Sequence, residues 1–224
     1  MAKTETFQDG FNFGAIDAVK WGTYDSDTTL AVVDNQLKFD LASGSVVTGY
    51  AGAESIDSLD LTGSYMYTEI IELPSSGGNS ESYFTAFLDA SNYFEWYSAW
   101  GYLYANYMVG GGDIVWYGEI INSAATRWLR IREEAGTSYW DYSADGFSWT
   151  NLTSISNLFT ITSINIVYTA GNWETEVAPG NLIVDNFNCK GFMGIKTYGG
   201  ADVNEIKTIN GIPVTDIKTI QGKK

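Results

Sequence analysis

Paired carboxylates are the side chains of this sequence whose chemistry is easiest to define. Two Asp or Glu residues on one face of a cleft can hydrolyse a glycosidic bond, one as the acid and one as base or nucleophile. On a strand, residues two apart share a face. The candidate pairs, Glu69 with Glu72 and Glu133 with Glu134, do not have that spacing. We interpret these glutamates as solvated strand and turn residues, and we predict no catalytic residue.

Histidine is missing from the 224-residue chain, and Cys189 is its one cysteine. Ser-His-Asp and Cys-His catalysis and His-ligated metal sites are therefore excluded. A single cysteine cannot form an intrachain disulfide, and we predict that Cys189 is a small buried apolar residue. Calcium is a metal that such a chain can still bind, because its oxygen ligands need no His or Cys. No cofactor is certain, and the loose calcium candidates are Asp9, Asp25, Asp27, Glu54 and Asp185.

Aromatic side chains crowd the segment from residue 93 to residue 117. Along residues 94–100, even and odd positions lie on opposite faces of a strand, so not all of these aromatics can be core. Aromatic rings on an open surface stack on sugar rings. The alternative is a thick aromatic core with a crowded rim. The predicted carbohydrate-binding residues are Tyr97, Trp100, Tyr102 and Tyr104.

Residues 127–149 give the clearest secondary-structure signal. Residues 127–132 alternate polar and apolar side chains, which indicates a half-buried strand. Gly136 and Gly146 mark turns, with a strand rich in aromatic residues between them and a third strand starting at Phe147. Helical periodicity is not sustained anywhere in the chain. The sequence therefore predicts an all-β protein.

The segment WLRIREEAGTSYWDYSADGFSWTNL resembles the late strands of concanavalin A-like, laminin-G-like jelly-roll domains. The opening FQDGFN and the closing IVDNF match the first and last strands of such domains, so the resemblance covers roughly residues 5–189. It implies a jelly-roll sandwich of two antiparallel sheets over residues 1–190. Such sandwiches host lectins, hydrolases and structural modules alike. Glucanases of this fold carry catalytic carboxylates as E-x-D-x-E on one strand, a spacing that the glutamate pairs above lack.

The segment Ser143 to Trp149 resembles the sialidase Asp-box, S-x-D-x-G-x-T-W, but is one residue short between Asp and Gly. The box itself is a structural turn. We therefore predict that Asp145 forms a turn and that Trp149 packs behind it, without an active-site role.

Residues 191–224 repeat an I-K-T unit every 11 residues. They resemble the I-K-T-x-N-G repeats at the C-termini of phage and prophage-encoded structural proteins. A β-repeat this short cannot bury its apolar face alone, so we predict a tail for assembly or docking. The alternative is a pair of extra hairpins that belong to the sandwich. The predicted assembly residues are Ile195, Tyr198, Ile206, Ile209, Ile217 and Ile220.

The formal net charge is −15, although the residues from Lys190 onward hold six Lys against three acidic residues. An acidic body argues against nucleic acid and anionic membranes as partners. The first residues contain no apolar segment typical of a signal peptide, and no run of 18 apolar residues occurs. We therefore expect synthesis in a host cytoplasm and a final location in a virion.

Together these patterns predict a non-enzymatic bacteriophage virion protein, as a surface decoration, fibre or appendage component. Its expected partners are capsid or tail proteins, further copies of itself and a cell-surface glycan. Two alternatives remain open at this point. One is a free lectin or carbohydrate-binding module, and the other is a glycoside hydrolase or lyase.

Overall fold

The computed structural model describes most of the chain. The described residues are 1–41, 43, 49–75, 78–112, 114–189, 197–198, 201–202, 208–209 and 212–213. Internal contacts divide the chain into two units, Met1–Asn188 and Cys189–Lys224.

The first unit is almost entirely β-structure, with two 3₁₀ turns at Thr4–Thr6 and Ala124–Thr126. In chain order its strands are β1 (Trp21–Asp25), β2 (Thr28–Val33), β3 (Gln36–Leu41), β4 (Gly49–Ser55), β5 (Tyr65–Glu72), β6 (Ser80–Asp89), β7 (Asn92–Ala99), β8 (Tyr102–Met108), β9 (Val115–Ile121), β10 (Trp128–Glu134), β11 (Thr137–Ser143), β12 (Thr150–Ser156), β13 (Asn165–Asn172) and β14 (Asn181–Asp185).

These strands form two antiparallel sheets of seven strands each. The groove sheet has the spatial order β1-β4-β13-β6-β7-β8-β9, and the back sheet has the order β12-β11-β10-β5-β14-β3-β2. The predicted all-β jelly-roll sandwich is confirmed. Among the described residues, no helix is long and apolar enough to cross a membrane.

The core lies between the sheets and is built from alternate residues of each strand. Its largest fully buried side chains include Trp96, Trp140 and Tyr168. Each buried indole N–H needs an acceptor, and both tryptophans find one on the opposite sheet. Trp140 Nε1 donates to the Glu95 carbonyl at 2.8 Å, and Trp96 Nε1 donates to the Arg130 carbonyl at 3.1 Å. The two sheets are thus joined by hydrogen bonds as well as by apolar packing.

The ladder predicted over residues 127–149 is present as β10 and β11, joined by a turn in which Ala135 and Gly136 have positive φ. The third strand begins at Thr150 and not at Phe147. Asp145 Oδ1 accepts the backbone N–H groups of Phe147 and Ser148 at 2.9 and 2.7 Å, which holds these residues in a turn. Those two hydrogen bonds lower the pKa of Asp145 to about 2. The predicted turn-forming role of Asp145 is confirmed.

The prediction that the glutamate pairs are solvated is wrong for Glu69 and Glu133, both of which are buried. Glu69 Oε1 lies 2.7 Å from Arg127 Nε, so its charge is compensated. Glu133 accepts the backbone N–H groups of Gly63 and Gly136. Each carboxylate is buried because a fixed donor replaces water. Cys189 is buried, as predicted.

The second unit is described as two short hairpins. One pairs β15 (Thr197–Tyr198) with β16 (Ala201–Asp202), and the other pairs β17 (Thr208–Ile209) with β18 (Ile212–Pro213). Of the predicted assembly residues, Tyr198 and Ile209 lie in these strands. The other four, Ile195, Ile206, Ile217 and Ile220, lie outside the described residues. The domain bounds 1–190 and 191–224 and the assembly role of the tail stay predictions.

Candidate functional site

The outer face of the groove sheet carries a row of side chains that crosses five strands. Glu54 on β4 pairs with Val167 on β13, and Val167 pairs with Thr85 on β6. Thr85 in turn pairs with Glu95 on β7, and Glu95 pairs with Asn106 on β8. Directly paired residues project from the same face of a sheet. The row therefore places two carboxylates on one surface, three strand spacings apart.

The alternation of β7 determines that Glu95 faces outward. Phe94 and Trp96 are fully buried in the core. Residues two apart share a face, so Tyr93, Glu95 and Tyr97 lie on the opposite side. Glu95 is the only charged residue of this strand.

A cavity of about 300 Å³ opens beside this row. That volume lies at the lower end of the range found for small-ligand pockets, about 300–1,000 Å³. On one side, the Tyr24 hydroxyl and Thr169 Oγ1 lie 3.1 Å apart. The lining residues are Tyr24, Glu54, Tyr83, Thr85, Phe87, Tyr93, Glu95, Val167 and Thr169.

The Glu95 carboxyl group combines deep burial with incomplete hydrogen bonding. Its residue is 4 % exposed, and its Oε1 atom has no hydrogen-bond partner. Thr85 Oγ1 donates to the other oxygen at 3.5 Å. Burial raises the pKa of Glu95 to about 7, against the opposing effect of the neighbouring polar side chains of Asn106 and Thr85, and the negative charge of Glu81 adds to the increase. Near neutral pH this group can hold a proton and donate it.

Glu81 lies on the same face of β6 as Thr85, and tyrosine hydroxyl groups donate hydrogen bonds to it. The Tyr50 hydroxyl donates to its Oε1 atom, and the Tyr97 hydroxyl donates to its Oε2 atom at 3.0 Å. Burial, followed by the charge and hydrogen bonding of Glu81, raises the pKa of Tyr83 and Tyr97. These contacts fix Glu81 and Tyr97 in place beside the cavity.

The predicted carbohydrate-binding residues lie together at one end of this face. The ring centroids of Tyr97 and Tyr104 are 5.6 Å apart, and those of Tyr104 and Tyr102 are 6.1 Å apart. Trp100 is 49 % exposed and lies edge-on to Trp173 at 5.5 Å. We call Tyr97, Trp100, Tyr102, Tyr104 and Trp173 the aromatic platform. The sequence reasoning missed Trp173, and sugar binding by the platform stays a prediction.

The loose calcium candidates do not converge. Asp9 is buried and accepts the Phe11 N–H at 2.8 Å and the Trp21 indole N–H at 2.9 Å. Asp185 Oδ1 accepts the Asn186 N–H at 2.8 Å. Within the part of the chain that the structure describes, no group of three or more His, Cys, Asp or Glu residues is arranged to hold a metal ion. Glu54 lies on the groove sheet beside the cavity.

Sequence reasoning also missed Glu95, and it assigned Glu54 only to calcium. One signal for Glu95 is visible in the sequence, because a lone acidic residue interrupts the aromatic strand YFEWYSAW. Nothing in the sequence brings Glu54 to it, since 41 positions separate the two residues.

No family model matches this chain, and no curated protein matches it either. Solved structures do match. A β-glucanase from Bacillus licheniformis has a TM-score of 0.57 and 12 % identity, covering 81 % of this chain and 94 % of its own. A family 16 endo-glucanase from Bacteroides ovatus has a TM-score of 0.55 and 10 % identity, and the match covers 81 % of this chain and 98 % of that protein. A non-specific endo-β-1,3(4)-glucanase from family GH16 has a TM-score of 0.59 and 11 % identity, and the match covers 81 % of this chain and 88 % of that protein.

These matches correct the functional prediction made from the sequence. The prediction of a non-enzymatic phage virion protein is wrong, because the matching structures are glycoside hydrolases. That prediction depended on the short I-K-T repeats, which cover only the last residues. The likeness to the glucanases covers four fifths of the chain. At 9 to 12 % identity the likeness shows the fold. This chain therefore has the jelly-roll sandwich fold of the concanavalin A-like, family 16 glycoside hydrolases.

Proposed function

We propose that this protein is a glycoside hydrolase that cleaves a neutral polysaccharide bound across the groove sheet, with Glu95 as the general acid. The observation that carries this proposal is the Glu95 carboxyl group, which is buried beside the cavity with one oxygen unpaired. A carboxyl group that keeps its proton near pH 7 can protonate the leaving oxygen of a glycosidic bond. The glucanase fold of the matching structures supports the same chemistry.

Electrostatics supports a neutral substrate. Glu54 and Glu95 line the cavity, and Glu81 lies on the same face of β6. The residues before Lys190 are more acidic than the chain as a whole, whose net charge is −15. Sulfated or uronic-acid polysaccharides would be repelled by this surface. A β-glucan carries no charge, and it is the substrate class named for the matching glucanases.

The aromatic platform supports a polymeric substrate. Tyr97 and Glu95 are two residues apart on β7, so the platform continues the line of the cavity along that strand. Trp100 follows at the end of β7, five residues from Glu95, which is about 17 Å at the rise of an extended strand. Tyr97 itself is buried, so the exposed rings of Trp100 and Tyr102 are the ones that suit the stacking of further sugar residues of one chain.

The test is incubation of the protein with soluble β-1,3-1,4-glucan, followed by an assay for new reducing ends. We expect activity from the wild type and from Glu119→Gln, a control on the same sheet whose residue is exposed. Glu95→Gln keeps the size of the side chain and one of its oxygen acceptors but cannot donate a carboxylic proton, so activity should fall at least about 100-fold. Tight glucan binding without new reducing ends would refute the hydrolase and leave a binding protein.

A further inference from the structure

A second cavity, of about 360 Å³, opens beside the turn that joins β7 to β8, and we call it the end cavity. We infer that the end cavity is a second binding site, which takes a neutral sugar residue whether or not the protein cleaves the sugar chain. Glu95 lines the first cavity, and the two cavities share no lining residue. The residues that line the end cavity are Leu73, Pro74, Ser75, Ser98, Ala99, Gly101, Tyr102 and Asn122.

The lining of the end cavity is polar but uncharged. Ser75, Ser98 and Asn122 supply hydroxyl and amide groups, and Leu73 and Pro74 supply apolar surface. Among the described residues that line this cavity, none is acidic or basic. Hydroxyl and amide groups can exchange hydrogen bonds with sugar hydroxyl groups, whereas a charged ligand would find no counter-charge. A neutral ring that carries hydroxyl groups therefore fits this lining.

Hydrogen bonds hold the walls of the end cavity in place. The Ser75 N–H donates to the Pro179 carbonyl at 2.7 Å, which fixes the segment after β5. The Asn122 N–H donates to the Gly101 carbonyl at 3.0 Å, which fixes the turn between β7 and β8. A site that is formed before the ligand arrives pays less ordering entropy on binding. These contacts favour a binding site over a chance gap between loops.

Exposed aromatic rings lie beside the end cavity. Tyr102 lines it and is 37 % exposed. Trp100, between the lining residues Ala99 and Gly101, has a φ of +53°, a left-handed conformation that is strained for a bulky side chain. Glycine would fit this position without strain, and strained residues are concentrated at ligand-binding positions. An exposed indole at this turn can stack on a sugar ring that enters the cavity.

The test is a titration of Glu95→Gln with a tetrasaccharide of β-1,3-1,4-glucan, followed by ¹H–¹⁵N NMR. This background prevents cleavage during the measurement. We expect the Trp100 indole N–H and the Asn122 side-chain amide to shift along one saturation curve, because both residues lie at the end cavity.

Two matched variants on this background test the cavity itself. Ser75→Leu places a larger apolar side chain in the lining and should weaken the affinity read from the Trp100 indole at least about tenfold. Ser156→Leu makes the same change at an exposed position of β12 and should leave that affinity unchanged. Circular dichroism and the melting temperature check that each variant is folded. If Ser75→Leu does not fold, Asn122→Ala removes the amide without filling the cavity and should weaken the affinity several-fold.

The outcomes separate this inference from the proposed hydrolase. The absence of saturable shifts at Trp100 and Asn122, or an unchanged affinity in a folded Ser75→Leu variant, would overturn the second binding site. Saturable binding at the end cavity by a protein that releases no reducing ends from β-glucan would refute the hydrolase and leave the second site standing.

Discussion

Replacing Glu95 by Gln should remove activity and at the same time stabilise the protein above neutral pH. The carboxyl group has a folded-state pKa of about 7 against the ordinary glutamate value of 4.5, and burial is the main cause. A raised folded-state pKa means that the native state binds the proton more tightly than the unfolded chain does. The stability that this carboxyl group contributes is therefore at its maximum below about pH 4.5, and it is lost as the pH rises toward 7.

The size of the effect on stability follows from these two pKa values. At about 1.4 kcal/mol for each tenfold change in proton affinity, ionised Glu95 lowers the free energy of unfolding by about 3 kcal/mol above pH 7. Glutamine cannot ionise and avoids this cost. We therefore expect Glu95→Gln to be about 3 kcal/mol more stable relative to the wild type at pH 8 than at pH 4.5.

Urea unfolding of both proteins at pH 4.5, 6 and 8, followed by tryptophan fluorescence, measures this difference. The quantity to compare is the difference in free energy of unfolding between wild type and variant at each pH. The titration of the other acidic residues cancels in this difference. Glu119→Gln serves as the exposed control, and its difference from wild type should not change with pH. A pH-independent difference for Glu95→Gln, or a variant less stable at pH 8 than at pH 4.5 relative to wild type, would refute the reasoning.

Three further substitutions test other parts of the structure. Trp100→Ala should weaken β-glucan binding several-fold, or by about 1 kcal/mol. It should not lower the melting temperature, because the Trp100 ring is half exposed. Titration calorimetry on the inactive Glu95→Gln background measures the binding affinity. Asp141→Asn should lower the free energy of unfolding in urea by about 3 kcal/mol, because this buried carboxylate pairs with Arg130 and Arg132, both at 2.8 Å. An unchanged stability would contradict a stabilising role of these two ion pairs. Gly146→Ala should cost about 1–2 kcal/mol, seen as a lower melting temperature, since φ is +72° and a Cβ would lie 3.0 Å from the Trp128 ring.

Local patterns in the sequence carried most of the fold. The alternation over residues 127–132 predicts β10, and the glycines at 136 and 146 predict the turns on either side of β11. Asp145 was assigned to a turn because a short carboxylate accepts nearby backbone N–H groups, an interaction within three residues. The alternation of residues 94–100 also puts Tyr97 on the face opposite to Trp96, although it does not tell which of the two faces is the outer one. Each of these inferences depends on neighbours along the chain.

The candidate site could not be read in the same way. From the sequence, Glu54 is only a loose calcium candidate. Glu69 and Glu133 are interpreted as solvated residues, and the I-K-T repeats as the mark of a virion protein. The burial of Glu69 depends on Arg127, which is 58 positions away. Sequence alone does not give such a pairing.

The sequence by itself determined that this is an all-β protein without histidine chemistry, with a lone glutamate inside an aromatic strand. The tertiary structure alone decided that β4, β13, β6 and β7 are neighbours in one sheet, and in which register. That order aligns Glu54 with Glu95 although the strands between them in space come from distant parts of the chain. The physical reason is that strand order and register are set by burial of the inner face against the opposite sheet, a property of all the strands together.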